Sequence, residues 1–162
     1  MALHSIAIDL NGKRMKAEVS ALDTLLEVLR EQFGALDVKN GCGQGDCGVC
    51  TVLLDGVAVN SCLTLAVQAD GRKVTTLKGL GTPDDPHPLQ ESFVRHGAIQ
   101  CGFCTSGMVL TAEALLDENP APTRAEIREA ISGNICRCTG YRKIIDAIED
   151  VAGQRERVGG RS

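Results

Sequence analysis

The chain has 162 residues, a formal net charge of -4 and 2% aromatic residues, with no tryptophan. This balance argues against nucleic-acid binding, which depends on basic patches and on aromatic side chains that stack on bases. No run of 18 apolar residues occurs, so the sequence predicts no membrane span. The N-terminal segment alternates between apolar and polar residues, which predicts a strand rather than a signal peptide and hence a cytoplasmic protein.

The first part of the chain, residues 1–77, predicts a mixture of strands and one helix. Short segments separated by Asn-Gly and Asp-Gly pairs are typical of hairpins, and apolar residues at helical spacing predict the helix. In chain order the predicted elements are strands at 4–10 and 14–19, a helix at 23–33, a glycine-rich loop at 41–48, two strands within 50–62 and a strand at 73–77.

The second part predicts only helices. Residues 78–88 concentrate glycine and proline, which interrupt helices and strands, so this segment is predicted to be a linker. A helical domain is expected at 89–154, and the polar residues 155–162 are expected to form a flexible tail. The predicted helices lie at 88–97, 105–118, 123–132 and 140–154.

Eight cysteines in a chain without a signal peptide indicate metal binding, since thiols in a reducing compartment rarely form disulfides. The first four have the spacing C-x4-C-x2-C-x11-C, which is typical of a plant-type 2Fe–2S site. Zinc is the alternative, but zinc ribbons use two C-x2-C pairs, whereas three cysteines are crowded together here. The predicted ligands of this first set are Cys42, Cys47, Cys50 and Cys62.

The other four cysteines form a C-x2-C pair and a later C-x-C pair. The first pair precedes a predicted helix whose N-terminal N–H groups favour a thiolate, and the second lies in an extended turn that brings both thiols to one side. The predicted ligands of this second set are Cys101, Cys104, Cys136 and Cys138. Arg137, between the last two, is expected to be solvated.

Both motifs together resemble those of a known family. The segments GCGQGDCGVCTVLLDG, QCGFCTSGM and GNICRCTGY, in this order, resemble the small iron–sulfur subunits of the xanthine oxidase family of molybdenum hydroxylases, over about residues 4–152. The resemblance implies an α+β fold, with an N-terminal β-grasp 2Fe–2S ferredoxin domain followed by an all-α four-helix domain that holds a second 2Fe–2S cluster. Relatives usually have proline where this chain has Ser106, a departure that touches no predicted ligand.

The same resemblance implies an electron-transfer subunit. A large partner subunit would carry a molybdopterin cofactor and a medium subunit FAD, in a dimer of heterotrimers. Electrons would pass from molybdenum through both clusters towards FAD or another acceptor. Gln100 and Cys138 occupy positions that contact the pterin in this family, and the resemblance places no substrate-converting residue in this chain.

Two other functions stay open at this point, a free-standing two-cluster ferredoxin without a fixed partner and a structural zinc module within an assembly. Metal analysis separates the zinc module from both iron–sulfur alternatives. The three histidines, His4, His87 and His96, have no carboxylate or nucleophile at motif spacing and are expected to be surface or core residues.

Overall fold

Five strands in the first half of the chain form one mixed sheet, and helices make up the second half, so the fold is α+β, as the sequence predicts. The computed structural model describes residues 2–159. The strands are β1 (Leu3–Leu10), β2 (Lys13–Ser20), β3 (Thr51–Leu54), β4 (Val57–Asn60) and β5 (Lys73–Thr75).

The strand order across the sheet is β2-β1-β5-β3-β4. Strands β1 and β5 are parallel, while the other neighbours are antiparallel. Both predicted hairpins are confirmed. Their turns, Asn11-Gly12 and Asp55-Gly56, have positive φ at both residues, which is the geometry of a type I′ turn and matches the twist of paired strands.

Helix α1 (Leu25–Glu27) begins the helical segment predicted at 23–33. Thr24 and Glu27 form a capping box, in which Thr24 Oγ1 accepts from the Glu27 N–H at 3.2 Å and the Glu27 carboxylate accepts from the Thr24 N–H at 2.8 Å. The second part of the segment, Val28–Gln32, is π-helical. Its apolar face closes the first core, in which Leu25, Leu29, Ile8, Val19, Val52 and Val74 are buried.

The helices extend into both segments that were predicted to lack structure. The predicted linker contains a short helix, whose Lys78 N–H donates to Asp37 Oδ2 at 3.1 Å. The predicted tail begins inside the last helix, where Arg155 forms ion pairs with the carboxylates of Glu113 and Asp117 on another helix. Residues 160–162 lie outside the described residues. The helices are α2 (Leu77–Leu80), α3 (Pro88–Arg95), α4 (Thr105–Glu118), α5 (Arg124–Ala130) and α6 (Arg142–Gly159).

A second core lies among these helices, and it also receives one residue from the first half. Val49, which belongs to the loop before β3, is 4% exposed and packs into this core. None of the helices within residues 2–159 has the length and apolar character needed to cross a bilayer. Other buried members of the second core are Leu89, Phe93, Met108, Leu116, Ile127, Ile144 and Ile148.

Candidate metal centres

Two cysteines of the first set, Cys42 and Cys47, lie in the glycine-rich loop. The N–H groups of Cys42 and Cys47 each donate to the sulfur of the other residue at 3.4 Å. The N–H groups of Gln44 and Asp46 also point at Cys42 Sγ, at 3.5 Å and 3.3 Å. Successive N–H groups aimed at one point form a nest for an anion, so this loop favours a negatively charged sulfur.

The β3–β4 hairpin positions the other half of the first set. Cys50 directly precedes β3 and Cys62 follows β4, and Ser61 Oγ ties the two ends together by donating to Cys50 O at 2.7 Å. Burial, assisted by a hydrogen bond with the Cys50 thiol, raises the pKa of Cys62 to about 11. By contrast, backbone donors, led by the Gln44 N–H, lower the pKa of Cys42 to about 6.

The second set gathers at the start of α4. Cys104 is the N-cap of this helix, and Cys101 precedes it by one turn. Cys138 Sγ lies 3.5 Å from Cys101 Sγ, while the thiol of Cys136 is close enough to that of Cys104 to help raise the pKa of Cys104. The C-x-C pair therefore divides, with one thiol meeting each member of the C-x2-C pair. Cys104 and Cys136 are buried, whereas Cys101 and Cys138 are exposed.

Local donors also shift the acidity of the second set. Burial, followed by the hydrogen bond with Cys136, raises the pKa of Cys104 to about 12. Burial also acts to raise the pKa of Cys136, but Thr139 outweighs it and the pKa is lowered, because the Thr139 hydroxyl lies 3.0 Å from the sulfur and its N–H donates at 3.4 Å. The Phe103 N–H lowers the pKa of Cys101. Metal ligation requires thiolates, and the donors at Cys101 and Cys136 stabilise the thiolate form of these two residues.

The eight thiols form four pairs, with two pairs at each site. A 2Fe–2S cluster takes two thiolates on each iron, so the pairing and the N–H donors fit this cofactor. A zinc ion would instead need four ligands in one tetrahedron around a single atom. The pairs are Cys42–Cys47, Cys50–Cys62, Cys101–Cys138 and Cys104–Cys136.

Both sets border one cavity of about 250 Å³. Cys42 and Cys47 line it from the first half, and the four thiols of the second set line it from the other side. Phe103 and Ile135 also contribute to the lining. The Ile135 N–H donates to Cys47 O at 2.9 Å, so the two cysteine loops are in direct contact.

Gln100 is exposed beside the exposed thiol pair of the second set. Three large apolar side chains close to this pair in sequence or in the cavity wall, Ile99, Phe103 and Ile135, are 37%, 47% and 52% exposed. Apolar side chains grouped around a polar centre are typical of a surface that another protein covers.

The other residues considered in the sequence are Arg137 and the histidines. Arg137 is exposed, as expected. The histidines have no partner at motif spacing, but in space His87 lies 3.5 Å from Glu113 and His96 lies 3.3 Å from Asp150. Each carboxylate comes from a different helix, which is why no local pattern revealed it. These contacts hold helices together and lie outside both cysteine sets.

Sequence reasoning missed the residues that support the C-x-C loop. The Tyr141 hydroxyl accepts from the Cys136 N–H at 2.8 Å, and Thr139 contacts the same cysteine. Asn134 is 4% exposed and donates through Nδ2 to Gly48 O, in the other half of the chain, at 2.9 Å. An asparagine in a connecting segment usually indicates a turn, so spacing alone could not assign this role.

Comparisons with known proteins agree with this geometry. A 2Fe-2S iron-sulfur cluster binding domain matches residues 8–76, and a second 2Fe-2S binding domain matches residues 76–149. The nicotine 6-hydroxylase small subunit of Paenarthrobacter nicotinovorans is 50% identical over 149 residues, which cover 92% of this chain and 90% of that protein. The nicotinate dehydrogenase small FeS subunit of Eubacterium barkeri is 49% identical over 144 residues, covering 89% of this chain and 92% of that protein.

A solved structure extends the similarity to the fold. A chain in the crystal structure of quinoline 2-oxidoreductase from Pseudomonas putida 86 is 52% identical, with a TM-score of 0.90, over 96% of this chain and 97% of that chain. Two matched 2Fe-2S domains argue against the zinc module, and relatives named as small subunits argue against a free-standing ferredoxin. The chain therefore belongs to the family of iron–sulfur small subunits of the molybdenum hydroxylases, which transfer electrons through two 2Fe–2S clusters.

Proposed function

We propose that the two sets of paired thiols are the ligands of the two 2Fe–2S clusters of this electron-transfer subunit. The division of eight thiols into four pairs carries the proposal, because two thiolates on each iron are what such a cluster requires. When bound, each cluster accepts and releases one electron. The proposed ligands are Cys42, Cys47, Cys50 and Cys62 for one cluster, and Cys101, Cys104, Cys136 and Cys138 for the other.

The second set is proposed to face the molybdopterin of the large subunit. Its exposed pair, Cys101 and Cys138, lies among exposed apolar side chains, which supports burial against a partner. Gln100 and Cys138 are proposed to contact the pterin, with the Gln100 amide as a hydrogen-bonding group. The first set would then lie on the side from which electrons leave.

The finer architecture follows the same family. The mixed sheet around α1 supports a β-grasp ferredoxin domain at residues 1–77, and helices α3 to α6 support a four-helix domain from residue 89 onward, joined by 78–88. A medium subunit with FAD, a dimer of heterotrimers and a cytoplasmic location complete the proposal.

Metal analysis of the purified protein tests the ligand assignment. Two complete clusters require four irons and four acid-labile sulfides per chain. Reduction with dithionite should give two distinct paramagnetic signals, because one site lies in an N–H nest and the other at a helix start. Zinc bound without labile sulfide would overturn the assignment.

A pair of serine variants tests the order of the two sites. Serine keeps the size of cysteine but is a poor ligand for iron. Cys47→Ser should leave the second set reducible by substrate in the assembled enzyme and abolish turnover with the external acceptor. Cys136→Ser should also prevent substrate from reducing the first set. Normal reduction of the first set in assembled Cys136→Ser enzyme that retains the first cluster would contradict this order.

Gln100→Ala tests the pterin contact. Loss of one neutral hydrogen bond costs about 1 kcal/mol, so substrate should reduce the clusters roughly fivefold more slowly while iron content stays complete. Gln32→Ala is the control, because Gln32 is exposed, lies in neither cysteine loop and makes one side-chain hydrogen bond within residues 2–159, to Glu18 O at 3.3 Å. Equal reduction rates in wild type and Gln100→Ala would remove Gln100 from the pterin site.

A further inference from the structure

We propose that Asn134 is a positioning residue that sets the separation of the two cysteine loops and thereby the coupling between the two clusters. This inference rests on the ligand assignment proposed above. Asn134 is not proposed to contact either cluster. Its effect would act through the backbone of the cysteine loop to which its side chain bonds.

The side-chain amide of Asn134 joins three parts of the chain. Its Nδ2 donates to Gly48 O at 2.9 Å, and Gly48 directly follows Cys47. Its Oδ1 accepts from Thr111 Oγ1 at 2.9 Å, and Thr111 lies on α4, which begins at the second set. Asn134 itself lies two residues before Cys136. One buried amide therefore connects the loops of both sets to the helix between them.

The backbones meet at this point without any side chain between them. A Cβ atom added to Gly107, on α4, would lie 2.3 Å from Gly48 O. A Cβ atom added to Gly48 would lie 2.3 Å from Gly133 O, and Gly48 also has a φ of +68°. Only glycine permits this approach, so the loops are as close as backbone contact allows.

Two further contacts hold the loop around Gly48 against the helical half of the chain. The Val49 side chain is buried in the second core, and the Ile135 N–H donates to Cys47 O at 2.9 Å. They anchor the same loop on both sides of Gly48. Asn134 supplies the side-chain hydrogen bond between these anchors, so its removal should let the loops separate slightly rather than detach.

A small separation has a measurable consequence. The magnetic interaction between two unpaired electrons falls with the cube of their distance, and electron tunnelling falls even more steeply. The signal of each cluster depends on its own ligands, which stay intact when Asn134 changes. A residue that only stabilises the fold would alter neither quantity once the protein is folded and loaded.

The test uses the full chain with both clusters reduced, and measures the spin–spin interaction by electron paramagnetic resonance. Asn134→Ala and Gly107→Ala should both weaken the interaction, while iron and sulfide contents and the individual signals stay as in wild type. Ser92→Ala is the matched control, because Ser92 is also fully buried and its hydroxyl donates to Ala147 O at 2.8 Å, between α3 and α6. It should leave the interaction unchanged.

The outcomes separate this inference from the ligand assignment. A wild-type chain without four irons would overturn both. Loaded Asn134→Ala protein with an unchanged interaction, or loaded wild type with no detectable interaction, would overturn the positioning role alone. If Asn134→Ala does not take up clusters, Thr111→Val decides, since it frees the amide from α4 but keeps the bond to Gly48. A weakened interaction in that variant supports the role, and an unchanged one refutes it.

Discussion

Replacing Gly107 by alanine should destabilise the protein, although alanine is the better helix former by about 1 kcal/mol. The new Cβ atom would lie 2.3 Å from Gly48 O, 3.3 Å from Gly48 C and 3.0 Å from Asn134 Nδ2. Two of these atoms belong to the backbone and the third belongs to a buried side chain with its own hydrogen bonds. Since none of them can rotate aside, α4 must move away from the cysteine loop.

The magnitude follows from two opposing terms. Forcing an extra carbon into a packed site costs about 1–3 kcal/mol, and the gain in helix propensity offsets about 1 kcal/mol of it. The net loss should therefore be up to about 2 kcal/mol, which corresponds to a fall in Tm of at most about 4–8 °C for a chain of this size.

Gly153→Ala provides a control of opposite sign. Gly153 lies inside α6, and a Cβ atom there would meet nothing within 4 Å. Alanine should therefore stabilise this helix by up to about 1 kcal/mol. Far-ultraviolet circular dichroism of cluster-loaded protein, with all variants heated at the same rate, measures both shifts. A Gly107→Ala protein that melts as high as Gly153→Ala would show that the contact between α4 and the loop is not tight.

Two further predictions concern buried polar groups. Burial acts to raise the pKa of Glu113, but hydrogen bonds with His87 and Arg155 outweigh it and hold the pKa below its usual 4.5. A lowered pKa stabilises the fold above the unfolded pKa and loses this effect as pH falls through the folded pKa. Arg155→Met should thus lower the free energy of unfolding, measured with denaturant, by about 2 kcal/mol near neutral pH. This loss of stability should become smaller below pH 4.5. A loss that grows in acid would contradict the prediction. Ser106 Oγ is buried and has no hydrogen-bond partner within residues 2–159, so Ser106→Ala should raise Tm; a lower Tm would mean that the hydroxyl has a partner in the loaded protein.

Local patterns in the sequence predicted the strands, the main helices and the family, because each depends on neighbouring residues. Turn pairs such as Asn11-Gly12 set hairpins through their own backbone preferences. The helix predicted at 105–118 is the helix observed, since the chain before it supplies a start and Pro120 follows its end. Cysteine spacing within nine residues likewise reflects the geometry of a single loop.

What the sequence could not reveal depends on contacts between distant segments. Asn134 bonds to Gly48, which is 86 residues away, and no local pattern marks such a pair. In the helix at Leu77–Leu80, the Lys78 N–H donates to Asp37, and in the last helix Arg155 forms ion pairs with Glu113 and Asp117. In each case a long-range hydrogen bond or ion pair overrides a local preference for irregular structure.

The same long-range contacts make the two metal sites unequal in their effect on folding. Cys104 and Cys136 are buried in the second core, so a cluster there would also close the packing of the helices. Val49, which is next to Cys50, packs into that second core, whereas no residue of the helical half is among the buried members of the first core within residues 2–159. Loss of the second cluster should therefore loosen the loop of the first set, while loss of the first cluster should leave the helices packed. A fall in iron below two per chain in Cys136→Ser, with about two retained in Cys47→Ser, would be the signature of this asymmetry.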